Sequence, residues 1–223
     1  AFSMIAFGTG GWRAIIGDDF TRENVQRLTL AVARRMKREE NDDRGFCIGY
    51  DRRFLSREAA EWAAEVMAGE GIHVLMINRE APTPLIMFTV QYYGLDYGIA
   101  VTASHNPGQW NALKLLGSRG EFLSDAEGKR VLAIAADDAY DYPGVDALGH
   151  VVFRGSYDRE HIDRVLALPL VDREAVRRAG FRVVVDAVNS VGGVVMPVLL
   201  RELGCEVVEM NCTPDGRFAH TPE

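Results

Sequence analysis

The residues with the most chemistry in this chain stand together at Thr102-Ala103-Ser104-His105-Asn106-Pro107. The apolar run from Tyr97 to Thr102 reads as a buried strand, so the segment is a loop leaving a strand's carboxyl end. In open α/β sheets ligands collect at that end, where loop amides can point at them. A serine there can act as a nucleophile or carry a phosphoryl group. His105 beside it could move a proton or pair with an anion. Asn106 can hydrogen-bond within the turn, and Pro107 fixes its exit. Lys114, on a strand predicted over Ala112 to Leu116, would return a positive charge to the same place. Each has a plainer reading beside the chemical one: a turn serine, a surface histidine, a solvated strand lysine.

The elements that would position this loop alternate. Helix is predicted from Thr21, its N-cap, to Glu40, with Val25, Leu28, Val32 and Met36 on one face. A short buried strand follows at Phe46 to Tyr50, then a helix from Ser56 to Met67 and a strand from Ile72 to Ile77. Thr83-Pro84 reads as an N-cap with proline at the first helical position, opening a helix to Tyr93. Trp62 and the Tyr92-Tyr93 pair sit on helices and read as core or interface. Ser124 to Glu127 is a capping box opening a helix to about Ala136. After a polar stretch broken at Pro143-Gly144, a second set begins: helix Asp172 to Ala179, strand Phe181 to Asp186, helix Val194 to Leu203, strand Glu206 to Met210. The expected fold is α/β: mixed, mainly parallel sheets sandwiched by helices, with one complete domain over 1–154 and an incomplete one of similar type over 155–223.

Composition sets bounds. With 223 residues, 48% hydrophobic and 26% charged, the chain has the profile of a globular protein of one large or two ordinary domains. Its net charge of −7 argues against a general nucleic-acid surface, although arginine, lysine and backbone amides can still hold an anion locally. No apolar run approaches the roughly 18 residues that span a bilayer, and no secretory signal opens the sequence, so no membrane association and a cytoplasmic setting are expected. Ala1 to Ser3, ahead of Met4, read as an appended remnant. Cys47, Cys205 and Cys212 form no CxxC pair, so neither a structural disulfide nor a zinc site is expected, and Cys47 reads as a core residue.

Taken as a unit, Thr102 to Pro107 resembles the phosphoserine loop of the α-D-phosphohexomutase family, the phosphoglucomutases and phosphomannomutases. Further segments resemble that family in the right order: Phe7 to Arg13, Gly49 to Ser56, Pro82-Thr83-Pro84, Asn111 to Lys114, and Val183 to Asp186 followed by Asn189 to Gly193. Ala14 and Ala112 stand where the family usually has glycine, and alanine there is expected to tighten the local backbone. The resemblance implies a phosphoryl shift between C1 and C6 of a hexose phosphate through a phosphoserine and a hexose bisphosphate. Ser104 would be the carrier, with His105, Lys114 and Arg13 as catalytic residues. Arg13, Lys114 and Asn106 would hold phosphate or substrate. Arg13 could instead pair with Asp18 or Asp19, and His105 could be purely structural. Asp51 and Arg53 read as supporting structure, and Gly8, Gly10 and Gly11 as loop geometry or a phosphate cradle.

The resemblance also implies Mg²⁺, with the Ser104 phosphate as one ligand. The family's Asp-Gly-Asp loop is not found here, since Asp215-Gly216-Arg217 lacks the repeated aspartates. The chain is therefore expected to lack full activity alone, and its unfinished second unit to favour a homodimer or strand exchange. Two other readings stay open: a non-catalytic module binding a sugar phosphate or a protein, and a serine hydrolase using Ser104 and His105. The hydrolase is disfavoured by the missing G-x-S-x-G elbow and by the difficulty of making neighbouring side chains face each other.

Overall fold

The computed structural model describes residues 7, 10–136, 144–155 and 158–222. It divides into two units, 1–155 and 156–223. In the first, β1 (Gly11–Ile15), α1 (Arg22–Arg38), β2 (Phe46–Tyr50), α2 (Ser56–Gly69), β3 (Val74–Ile77), α3 (Thr83–Tyr92), β4 (Tyr97–Val101), β5 (Trp110–Leu116), α4 (Asp125–Ala135) and β6 (Val151–Arg154) follow in order. The six strands form one sheet in the order β1-β5-β4-β2-β3-β6. β4, β2, β3 and β6 run parallel, and β5 is antiparallel to both β4 and β1. The fold is thus a mixed, mainly parallel α/β sheet between helices.

Side-chain alternation along the strands assigns the two faces. Trp12, Ile48, Ile99 and Leu113 join Leu28 and Met36 of α1, Ala63 and Met67 of α2 and Val131 of α4 in one buried cluster. The opposite face is covered by α3, and glycine makes that approach feasible. A methyl group on Gly49 of β2 would lie 2.4 Å from Ile86 Cγ1. The Thr21 hydroxyl accepts the Asn24 N–H to start α1, and Ser124 with Glu127 completes the capping box of α4, as predicted. Thr83 does not cap α3: it is the first helical residue, Pro82 takes the cap position, and no side chain caps it. Tyr92 and Tyr93 lie 45% and 41% exposed on the outer side of α3 rather than in the core, while Trp62 is half-buried with Arg22 over its ring.

Three elements were not foreseen. β1 is an edge strand in which Trp12 and Ala14 face inward and Arg13 and Ile15 outward. β6 closes the other edge. The second unit opens with α5 (Asp158–Leu166), followed by α6 (Arg173–Ala179), β7 (Arg182–Asp186), α7 (Gly192–Glu202) and β8 (Glu206–Met210). There β7 and β8 pair in parallel, and Ile162 and Leu166 of α5 pack with Val195 of α7. Among the described residues this sheet has two strands, and Val184 and Met210 on it are 58% and 48% exposed. No described helix is long and apolar enough to cross a membrane.

Candidate active site

β2 and β4 are neighbours, yet β2 leads through α2 to β3 on its other side. The carboxyl ends of β2 and β4 therefore flank a reversal of strand order, the place where such sheets bind ligands. Two loops meet there: Asp51 to Leu55 after β2 and Thr102 to Gln109 after β4. Asp51 N–H donates to Val101 O at 3.0 Å, which seats the first loop against the end of β4.

Ser104 is exposed and has φ +56°, in the left-handed region that a non-glycine residue adopts at some cost. Its backbone N–H donates to Thr102 Oγ1 (3.1 Å), and the Thr102 hydroxyl donates to Asp51 Oδ2 (2.6 Å). Asp51 Oδ1 accepts the Ser56 hydroxyl (2.7 Å) and the Arg53 N–H (2.9 Å). Burial pushes the Asp51 carboxyl up from its usual range, and these hydrogen bonds with the Arg53 charge draw it back. The Arg53 guanidinium, 4% exposed, donates to the Ser104, Asn106, Pro107 and Trp110 carbonyls. Asn111, fully buried on β5, donates to Phe54 O and Ser56 Oγ and ties the loop after β2 to the antiparallel strand. Asp51 and Arg53 are supporting structure, as their sequence positions suggested.

Arg13 is exposed on β1, and its Nη1 donates to Asn106 Oδ1 at 3.3 Å. It is thus aimed at the serine loop and not at Asp18 or Asp19. Arg13 pairs in register with Ala112, two residues from Lys114, so both cations project from the same sheet face. Burial first, and then the Arg13 charge, hold the Lys114 ammonium below its usual value. Its Nζ also stands 5.4 Å over the Phe122 ring. His105 Nδ1 lies 3.4 Å from Ser104 Oγ, so the neighbouring side chains do approach each other, contrary to expectation. The left-handed turn at Ser104 brings them round. Ala14 and Ala112 sit inside β1 and β5, and neither has a positive φ. The tightening expected from alanine does not arise, because extended backbone suits it. Gly8 lies outside the described residues. Gly10 has φ +78°, and a methyl group on Gly11 would meet Leu113 O at 2.2 Å, so both serve backbone geometry.

A family model described as phosphoglucomutase/phosphomannomutase, alpha/beta/alpha domain I, matches residues 4–141, and the corresponding domain II model matches residues 159–223. The chain belongs to the phosphoglucomutase/phosphomannomutase family. It is 31% identical over 218 residues to a phosphoglucomutase/phosphomannomutase of Thermococcus kodakarensis, covering 97% of this chain and 47% of that one. It is 32% identical over 220 residues to a phosphoglucosamine mutase of Sulfurovum sp., covering 96% and 47%. A crystal structure of a phosphoglucomutase/phosphomannomutase family protein from Burkholderia thailandensis shares the fold at TM-score 0.82 and 22% identity, over 99% of this chain and 46% of that one. The chain spans about half the length of the curated relatives it matches.

The donors present do not fit the divalent cation that this family suggests. A hard cation takes roughly six or more oxygens. The serine loop offers the Ser104 hydroxyl, while the Asp51 oxygens are held by Thr102, Ser56 and Arg53. Among the described residues no group of three or more His, Cys, Asp or Glu side chains could hold a metal. Asp215-Gly216-Arg217 forms a turn in which Asp215 Oδ1 accepts the Arg217 N–H at 2.8 Å.

Sequence reasoning missed a charged cluster at the carboxyl ends of β7 and β8. Asp186 accepts from Val188 N–H, Asn211 Nδ2 and His220 Nε2. His220 Nδ1 lies 2.7 Å from Thr221 O. Both ring nitrogens face acceptors, an arrangement that favours the protonated ring, and the Asp186 bond followed by the Thr221 carbonyl raises its pKa.

Proposed function

We propose that this chain is the part of a phosphohexomutase that carries the travelling phosphoryl group on Ser104. The observation that carries the reading is an exposed Ser104 in a left-handed turn at the switch point of a sheet from this family, with Arg13 aimed at the same loop. The substrates would be a hexose phosphate and a hexose bisphosphate, interconverted between C1 and C6 forms. Residues 1–154 would be the phosphoserine domain and 155–223 part of a second domain. A phosphoserine brings about −1.5 to −2 charges at neutral pH. Arg13 and Lys114 would offset them and stabilise the charge that spreads over the equatorial oxygens during transfer.

In the forward step the phosphorus–Oγ bond breaks and a phosphorus–oxygen bond forms to a sugar hydroxyl. That hydroxyl's proton passes through His105 Nδ1, 3.4 Å from Oγ, to the departing Ser104 oxygen, which leaves as a hydroxyl. In the return step Ser104 Oγ takes the other phosphoryl group of the bisphosphate, and its proton passes through the same nitrogen to the sugar oxygen that is released. Asn106 would orient the phosphate, its Oδ1 being held by Arg13. Cytoplasmic location, pairing of the second unit with another chain and lack of turnover by this chain alone are parts of the proposal, and Mg²⁺ is expected of the full-length family rather than of the donors present here.

Intact mass after incubation with glucose 1,6-bisphosphate tests the reading. One added phosphoryl group, abolished by Ser104→Ala, is the expected result. Labelling by a fluorophosphonate instead would favour hydrolysis, and neither modification would leave a binding module.

A further inference from the structure

We propose that Arg53 is a positioning residue that shapes the Ser104 loop for phosphoryl transfer, an inference that rests on the phosphoserine reading above. A guanidinium has five N–H donors in a planar fork. Its two Nη groups reach four carbonyls, and its Nε side forms an ion pair with Asp51. Nη2 donates to Ser104 O (2.5 Å) and Asn106 O (2.6 Å), Nη1 donates to Pro107 O (3.0 Å) and Trp110 O (3.4 Å), and Nε lies 3.4 Å from Asp51 Oδ2. One buried side chain thus binds four carbonyls across the whole turn that displays Ser104.

Peptide planarity converts this grip into a functional shape. In a trans peptide the carbonyl of one residue and the N–H of the next point in opposite directions. Drawing the Ser104 and Pro107 carbonyls inward onto Arg53 turns the His105 and Gly108 N–H groups away from it. The fork therefore sets the left-handed turn at Ser104 and presents backbone donors where a phosphate would arrive. Asp51 works from the other side. It pairs with Arg53 and, through the Thr102 hydroxyl, fixes the Ser104 N–H. Lysine, with three donors on a point charge, keeps the pairing with Asp51 but cannot serve four carbonyls.

Arg53→Lys in the 223-residue chain is the test, read by hydrogen exchange and by the rate of phosphoryl uptake at Ser104 from glucose 1,6-bisphosphate. Exchange across 102–110 should accelerate about tenfold while 46–50 in β2 stays as in the wild type. Uptake should slow roughly 100-fold, the cost of a displaced reacting atom. An unloosened loop, loosening spread equally into β2, or a loosened loop with wild-type uptake would each overturn the positioning role. A wild-type chain that takes up no phosphoryl group would instead overturn the phosphoserine reading, and the positioning role with it. If the lysine variant does not fold, the double variant D51N/R53M, which leaves no lone buried charge, must show the same loop-specific loosening or the proposal fails.

Discussion

Thr102→Val isolates one link in the chain from Asp51 to Ser104. Thr102 is buried, and valine fills nearly the same volume, so no cavity opens. The lost atom is Oγ1, which donates to Asp51 Oδ2 at 2.6 Å and accepts the Ser104 N–H at 3.1 Å. Ser104 is exposed, so its N–H can turn to water and adds little. The remaining loss is one hydrogen bond to a charged group, about 2 kcal/mol. Urea unfolding followed by tryptophan fluorescence measures it, because Trp12, Trp62 and Trp110 all lie in the first unit. With a slope of about 2 kcal/mol per molar, the midpoint should fall by about 1 M. Thr102→Ser, which keeps the hydroxyl, should recover most of that.

The pH dependence has a definite sign. A carboxyl whose folded pKa lies above its unfolded value loses stability as pH rises through the folded pKa. Burial places Asp51 in that class, and removing the Thr102 bond raises its pKa further. The valine penalty should therefore be greatest above the raised folded pKa of Asp51 and shrink as the pH falls through it. A midpoint shift equivalent to less than about 0.5 kcal/mol at neutral pH, the level of an ordinary surface change, would refute the relay.

Gly49→Ala should cost about 1–3 kcal/mol in the same assay, since Ile86 must yield to the new methyl group; an unchanged midpoint would show that α3 moves freely. The His220 ring should titrate above the ordinary histidine value by NMR, and Asp186→Asn should bring the midpoint down. Their pairing should weaken as pH rises through the raised His220 pKa, and on the acid side as it falls through the depressed Asp186 value; a midpoint unmoved in the variant would exclude the pair. Burial pushes the Cys47 thiol up to about 12, so iodoacetamide at pH 8 should leave it unmodified in the folded chain and label it once urea unfolds the protein.

Most of the elements could be read from the sequence because their signals are local. The apolar stripe from Val25 to Met36, the capping box at Ser124 and the β-branched run before Asp186 each follow from a few neighbouring residues. β1 carried a weaker signal, the alternation of Trp12 and Ala14 with Arg13 and Ile15, and β6 a short one, Val151-Val152-Phe153 between Gly149 and Gly155. Both are edge strands whose existence depends on a partner distant in sequence. The Ser104 motif itself was legible, because its six residues are contiguous in the sequence.

The sequence by itself determined which side chains could carry charge and phosphate, and the order of helices and strands that bears them. Tertiary structure alone decided that Arg13 reaches Asn106, that Ser104 and His105 turn toward each other, and that Arg53, fifty-one residues before Ser104, holds the loop by its carbonyls. The reason lies in the hydrogen-bond partners. Loop carbonyls are identical at every residue and leave no mark on the sequence. Which side chain satisfies them is settled only when parallel strands bring β2 beside β4.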